Sequence, residues 1–236
     1  DDMSFAAGHL RGSINVGLSG RFAEYVGEVM EPGTAIVLVS DPGTDEEAKM
    51  RLARIGFDNV VGALADPVKT FVENPDHIER MSRLSVEAFN ERINTVRNLN
   101  LIDIRNSGEV EQGSITGARH ISLPSLLKRL DEINKYEPVV VFCRGGYRSS
   151  IAASLLKSHG FTDVSDLIGG YNAWADSNIP PTLPAIDVKA AQVYPNALLV
   201  DVREQNEWDA GHIEGAVHIP MAQLPDRLEE LDKKMM

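Results

Sequence analysis

The chain of 236 residues contains a single cysteine, Cys143. One cysteine can form no internal disulfide and can supply no cysteine-rich zinc or iron–sulfur site, which excludes a secreted disulfide scaffold and favours a reducing compartment. We therefore expect a cytoplasmic location. Basic residues are also scarce, because 23 Lys and Arg stand against 35 Asp and Glu, a formal net charge of −12. This charge repels polyanions, so neither nucleic acid nor a membrane is an expected partner.

Long apolar runs and metal-ligand patterns are absent too. The longest apolar run is too short to span a bilayer, and the first residues, DDMSFAAGHLRG, do not have the basic stretch and apolar core of a signal peptide. The six histidines show no HxH or HExxH pattern. We therefore expect no metal site and no cofactor. With 43% hydrophobic and 25% charged residues, the composition is that of a globular protein.

The chain contains an internal repeat. The segment LIDIRNSGEVEQGSITGARHISLP at 101–124 recurs as LVDVREQNEWDAGHIEGAVHIP at 199–220, at a constant offset of 98 residues. A weaker copy, AAGHLRGSINV, lies at 6–16. A period of this length indicates whole domains in tandem rather than a solenoid.

The repeats predict three related units, of which only the middle one is complete. The first lacks a counterpart of LIDIR, and the third ends before a counterpart of Cys143, so we expect the chain to be a fragment of a longer protein. The predicted ranges are a degenerate first unit at 1–64, a linker at 65–84, a complete and active unit at 85–178, a linker at 179–186, and the first half of a third unit at 187–236.

The middle unit reads as alternating strands and helices. Ser85 is a candidate N-cap for the amphipathic run VEAFNERI, and LIDI predicts a short strand. The run VVVFC is typical of a strand buried on both faces of a parallel sheet. A Gly-rich loop and the helical SSIAASLLKSH follow, and Gly160 suits a left-handed helix end. This alternation predicts an α/β domain with a mainly parallel sheet.

The candidate chemistry lies in the loop of VVVFC-RGGYR-SS. A buried strand brings Cys143 to a tight turn that leads directly into a helix, where free backbone N–H groups and the helix dipole favour an anion. Gly145 and Gly146 allow successive N–H groups to point inward, while Arg144 and Arg148 add positive charge. These features favour the thiolate over an inert buried thiol. Because no acidic residue occurs between positions 139 and 161, we expect a basic pocket around the sulfur.

The loop CRGGYRS after VVVF, with LIDIRNSGEVEQGSITGARHI before it and GFTDVSDLIGGYNAW after it, resembles the rhodanese (sulfurtransferase) family over about 85–178. The third unit is similar to the first half of another such domain, and the first resembles a degenerate one. The resemblance implies an α/β fold of tandem rhodanese-like domains, each a mainly parallel sheet with helices on both faces.

The resemblance also implies a reaction. Cys143 would take a sulfane sulfur from thiosulfate or a low-molecular-weight persulfide, hold it as a persulfide, and pass it to a thiol. With no second cysteine to resolve the persulfide, the acceptor must be external. The expected partners are small sulfur-containing anions and thiols. The implied substrate-binding residues are Arg144, Gly145, Gly146, Tyr147, Arg148 and Ser149.

Other interpretations remain open at this point. A cysteine phosphatase or arsenate reductase is disfavoured because their loop has the form C-x5-R, whereas Arg148 gives C-x4-R. A non-catalytic binding or persulfide-sensing module is the main alternative. By analogy, tandem units of this kind are similar to those fused to a metallo-β-lactamase-type persulfide dioxygenase, which we expect as a fused or associated partner.

The remaining candidates receive structural interpretations. In the first unit Ser40 stands in place of the cysteine, Pro42 removes a loop N–H, and acidic residues surround them, so we expect no catalysis there. The Asp103–Arg105 pair and the repeated pair Asp201–Arg203 are expected to fix loops. His9 and His212 share the repeated AGH position, where a structural role near the turn is expected.

Overall fold

The computed structural model describes residues 1–177 and 198–227. The chain divides into two compact units, Asp1–Pro180 and Pro181–Met236. Among the described residues, no helix has both the length and the apolar character needed to cross a membrane.

Short strands and helices alternate along the chain. The strands are β1 (His9–Leu10), β2 (Ile36–Leu38), β3 (Val60–Ala63), β4 (Ile78–Glu79), β5 (Ser82–Leu84), β6 (Asn100–Asp103), β7 (Arg119–His120), β8 (Val139–Phe142), β9 (Val164–Leu167), β10 (Val200–Asp201) and β11 (Val217–His218). The α-helices are α1 (Asp2–Ala7), α2 (Phe22–Val29), α3 (Asp45–Ala53), α4 (Pro67–Glu73), α5 (Val86–Thr95), α6 (Ser107–Val110), α7 (Leu123–Leu126), α8 (Tyr147–Ser158), α9 (Gly170–Ser177) and α10 (Gln205–Asp209). The 3₁₀ helices are Pro75–His77, Leu127–Glu132 and Met221–Asp226.

A five-stranded parallel sheet in the order β5-β9-β8-β6-β7 forms the centre of the compact unit Asp1–Pro180. The central strand β8 is fully buried, and its side chains alternate between two cores. Val139 and Val141 belong to the core that α7 and α8 cover, whereas Val140 and Phe142 belong to the core with α5 and α9. Helices therefore cover both faces, which confirms the predicted α/β fold.

Local signals of the middle segment appear as predicted. The Ser85 hydroxyl caps α5 by accepting a hydrogen bond from the Ala88 N–H at 3.3 Å. Helix α8 ends at Ser158, and Gly160 follows in the left-handed region at φ 85°. The start of α5 and the end of α8 are each set by residues directly beside that helix, and for this reason the sequence was sufficient to predict them.

The predicted linker at 65–84 needs correction. It contains helix α4 and the strand β5, and β5 forms the edge of the five-stranded sheet by pairing with β9. The sheet therefore begins at Ser82, before the predicted start of the middle unit at 85. Three-residue edge strands carry little hydrophobic pattern, so the sequence signal was weak.

Residues before the linker pack on this sheet domain. Strands β2 and β3 form a small parallel sheet, with a core of their own that includes Phe22, Ile36 and Leu52. Tyr25 and Val29 of α2, however, join the core formed with α7 and α8. The first segment, residues 1–64, thus shares a hydrophobic core with the complete domain.

The second compact unit, Pro181–Met236, repeats part of the sheet domain. Strands β10 and β11 pair in parallel, as β6 and β7 do, and α10 corresponds to α6. The predicted linker at 179–186 lies outside the described residues.

Candidate active site at Cys143

The loop after β8 is held by close backbone contacts. Gly146 adopts the left-handed conformation at φ 95°, and a Cβ there would lie 3.1 Å from the Gly169 amide nitrogen. Gly170 also has positive φ, and a Cβ on it would come within 2.3 Å of the Cys143 carbonyl oxygen. The Tyr171 N–H donates to that same carbonyl at 2.7 Å. Only glycine permits this approach of α9 to the cysteine loop.

The thiol of Cys143 lies at the base of the loop, and the residue is 1% exposed. The Gly146 N–H donates to the sulfur at 3.1 Å. The Ser149 hydroxyl lies 3.5 Å from the sulfur and donates to the Gly146 carbonyl at 3.0 Å. A backbone donor and a hydroxyl therefore face the atom on which negative charge would develop.

Arg148 points to a carboxylate. Its two terminal nitrogens donate to Glu109 of α6, both at 2.7 Å. These hydrogen bonds raise the pKa of Arg148 and lower that of Glu109. The predicted basic pocket is partly neutralised, because the fold brings an acidic residue from outside the loop to pair with one of its two arginines.

The pKa of Glu109 leads to a prediction for stability at acid pH. Arg148 holds that pKa below its usual value of 4.5, so the pair stabilises the fold above about pH 4.5 and this contribution disappears as pH falls through the lowered value. Glu109→Gln should therefore lower the unfolding temperature near neutral pH, and the difference from the parent should narrow as pH falls below about 4.5. Glu111→Gln, one residue beyond the same helix, is the control. A difference that stays constant with pH would contradict the pairing.

Asp166 is a buried carboxylate close to Ser149. It is on β9, fully buried, and accepts hydrogen bonds from Arg83 at 2.9 and 3.0 Å. Burial raises the pKa of Asp166, while the hydrogen bonds and charge of Arg83 act in the opposite direction. The Ser149 hydroxyl lies 3.5 Å from its Oδ2 atom.

The remaining loop residues differ in exposure. Arg144 and Gly145 are exposed, and within the described residues the Arg144 side chain has no ion pair or hydrogen bond. Tyr147 is half-buried, and its hydroxyl donates to the Gly17 carbonyl at 2.9 Å. Its ring lies 5.5 Å from that of Tyr25. The first segment therefore forms part of the surroundings of the loop.

The fold brings the predicted site residues together, and it adds three that sequence reasoning missed: Arg83, Glu109 and Asp166. Glu109 lies inside the repeated motif, where its spacing from Asn106 indicates a helix cap but not a contact with Arg148. No local pattern marks Arg83 or Asp166.

The predicted structural pair supports the turn after β6. Arg105 and Asp103 form a buried ion pair, with their closest atoms at 2.6 Å, and Arg105 also donates to the Gly113 carbonyl at 2.7 Å. Arg203 and Asp201 repeat this geometry in the second unit, again at 2.6 Å. The pairs hold a turn, in agreement with the prediction.

The two AGH histidines also share a geometry. His9 stacks on Phe5 with centroids 3.7 Å apart, and His212 stacks on Trp208 at 3.6 Å. Each histidine Nδ1 lies within hydrogen-bond distance of the backbone carbonyl four residues earlier, at 2.8 Å for His9 and 3.1 Å for His212. This repeated contact supports the relation between the first segment and the C-terminal repeat.

Comparison with known proteins bears on the same residues. A family model described as the rhodanese-like domain matches residues 85–177 and 185–236, more than half of the chain. A sulfurtransferase of Allochromatium vinosum is 33% identical over 104 residues, which are 44% of this chain and 97% of that protein. A putative sulfur carrier protein of Bacillus subtilis is 31% identical over 99 residues, 42% of this chain, and the match spans only 54% of its own length.

A solved structure gives a further likeness. The crystal structure of a rhodanese-like domain protein from Staphylococcus aureus is 26% identical, covers 40% of this chain and 91% of that chain, and has a TM-score of 0.38.

Proposed function

Because the chain belongs to the rhodanese-like domain family, we propose that it is a sulfurtransferase that carries sulfur on Cys143. The Cys143 thiolate attacks the outer sulfur of thiosulfate or of a small persulfide, and the sulfur–sulfur bond breaks with its electrons leaving on sulfite or on a thiolate. An external thiolate then attacks the outer sulfur of the enzyme persulfide and releases the Cys143 thiolate.

The observation that carries this proposal is the pair of polar groups that face the sulfur. The Gly146 N–H donates to Sγ at 3.1 Å, and the Ser149 hydroxyl, which accepts from the thiol, lies 3.5 Å from it. Both can stabilise an anion at the sulfur without large rearrangement, since the loop is already curled around it. The sulfurtransferase name of a 33% identical relative points the same way.

The experiment follows both halves of the cycle. The chain is incubated with thiosulfate or glutathione persulfide, and release of sulfite or glutathione is followed with and without a thiol acceptor. Turnover that requires the acceptor supports the proposal. Stoichiometric sulfur uptake without turnover would favour a persulfide-sensing module, and hydrolysis of a phenyl phosphate without sulfur transfer would favour a phosphatase. The predicted association with a persulfide dioxygenase stays a prediction.

Arg144 should attract the anionic donor. Since Arg148 is paired with Glu109 while Arg144 is exposed, Arg144→Ala should raise the KM for thiosulfate about fivefold, the factor that roughly 1 kcal/mol of charge attraction near the surface supplies. The kcat should change little, and the effect should shrink as salt increases. Arg97→Ala, which removes another exposed arginine, is the control. An unchanged KM, or an equal effect of the control, would contradict this role.

The first segment should remain inactive even with a cysteine. Ser40 occupies the place of Cys143, Pro42 follows it without an N–H, and the first turn of α3 contains Asp45, Glu46 and Glu47. We expect the double variant Ser40→Cys/Cys143→Ser to recover no sulfur transfer, because negative charge faces the donor and a loop donor is missing. Recovered transfer with sulfur at position 40 would show that the segment retains a working loop.

A further inference from the structure

Arg83 lies behind the Cys143 loop in a three-residue ion network. It is on β5 directly opposite Asp166 on β9, and its side chain is 7% exposed. Nε and Nη2 donate to the two Asp166 oxygens at 2.9 and 3.0 Å. Nη1 donates to Asp2 of α1 at 2.8 Å. One guanidinium thus joins the first segment to a buried carboxylate of the sheet.

The network reaches the sulfur through one hydroxyl. Oδ2 of Asp166 lies 3.5 Å from the Ser149 hydroxyl, which in turn lies 3.5 Å from the sulfur of Cys143. The hydroxyl has a single proton, and in the thiol form it donates to the Gly146 carbonyl. To stabilise a sulfur anion it must turn that proton towards Sγ, and an unpaired Asp166 carboxylate would compete for it.

Arg83 also lies against the loop itself. Its Nη2 is 3.7 Å from the position that a Cβ on Gly146 would occupy. Gly146 is the residue whose N–H donates to the sulfur. Arg83 therefore lies next to both groups that face the sulfur, because it is packed beside Gly146 and linked through Asp166 to Ser149.

The charges around the sulfur come from the cysteine loop, the start of α8 and five other elements. They are Arg144 and Arg148 beside it in sequence, Glu109 on α6, Glu28 on α2 close to Arg148, Arg83 with Asp166 on β5 and β9, and Asp2 on α1. Without Arg83, Asp166 would be a buried carboxylate two contacts from the sulfur, and it would oppose a second negative charge there.

We propose that Arg83 is a positioning residue for Cys143. Arg83 neutralises Asp166, so that the Ser149 hydroxyl can turn to the sulfur anion. Arg83 also supports Gly146, so that the Gly146 N–H points at the same atom. This inference rests on the proposed sulfur transfer and assigns a role to a residue outside the loop. Asp2 extends the network to the first segment.

The test is Arg83→Gln, with alkylation of Cys143 by iodoacetamide measured against pH beside kcat and the KM for thiosulfate. We expect the pH midpoint of alkylation to rise by about one unit and kcat to fall about tenfold, while KM changes less than twofold. The double variant Arg83→Gln/Asp166→Asn should move the midpoint back towards the parent value, because it leaves no uncompensated carboxylate.

Two further variants separate positioning from folding. Arg92→Gln removes another Arg–Asp pair of the same domain, Arg92 with Asp163, and should leave all three readouts unchanged. Arg83→Lys keeps the charge without the two-pronged geometry; it should leave the midpoint near the parent value and reduce kcat. If Arg83→Gln does not fold, the double variant and Arg83→Lys carry the test.

A parental midpoint and kcat in folded Arg83→Gln would overturn the inference. So would a double variant whose midpoint stays as high as that of the single variant. Alkylation does not depend on sulfur transfer, so a parent chain that transfers no sulfur would refute the proposed function and still allow the role of Arg83 to be measured.

Discussion

Replacing Cys143 with Ser should reduce sulfur transfer at least about a thousandfold, as loss of a covalent nucleophile commonly does. A hydroxyl without a neighbouring base is a poor nucleophile. Among the residues that the structure describes, no base faces this position, since the groups nearest the sulfur are a backbone N–H and the Ser149 hydroxyl. The chain contains no other cysteine to replace it. The measurement is the rate of sulfite release from thiosulfate with a thiol acceptor.

The matched control for this substitution is structural. Ser is close to Cys in size, and its hydroxyl can accept the Gly146 N–H, so the unfolding temperature of Cys143→Ser should stay close to that of the parent. A variant that folds and transfers sulfur at the parental rate would refute the proposal that Cys143 is the nucleophile.

Arg105→Ala should be among the most destabilising substitutions outside the apolar core, at about 3–5 kcal/mol in the free energy of unfolding. Arg105 is 3% exposed and Asp103 1%, so removing the guanidinium leaves a buried carboxylate without its cation. It also removes the hydrogen bond to the Gly113 carbonyl. Denaturant titration, with hydrogen exchange to assign the transition to each unit, gives the measurement.

The repeat supplies the control for this prediction. Arg203 pairs with Asp201 at the same 2.6 Å, but the Arg203 side chain is 45% exposed. Water replaces the guanidinium of an exposed pair, so Arg203→Ala should change the stability of the second unit little. Equal losses in the two variants would show that burial does not determine the contribution of this pair.

The parts of the fold that could be predicted are those written in local sequence. The four apolar residues of β8, the Ser85 cap and the left-handed Gly160 each depend on neighbours within a few positions. The loop at Cys143 was predictable for the same reason, because its glycines and the start of α8 lie within one turn of the cysteine.

The parts that could not be predicted depend on residues distant in sequence. The charge around the sulfur differs from the charge counted within residues 139–161, because Glu109 of α6 pairs with Arg148 and Asp166 of β9 lies beside Ser149. Counting charges between 139 and 161 could not include them. Arg83 lies on a three-residue strand, which is too short to show a hydrophobic period, and we therefore predicted that it lies in a linker. Pairing across a sheet is set by tertiary packing, which one sequence pattern does not encode.

The most direct test of the central claim is to locate the transferred sulfur. The chain is incubated with thiosulfate without an acceptor, separated from the excess, and digested for peptide mass analysis under non-reducing conditions. We expect one added sulfur atom on the peptide that contains Cys143, with an equal amount of sulfite released, and loss of that sulfur when a thiol is added. An unmodified Cys143 peptide under conditions in which the chain releases sulfite would contradict it.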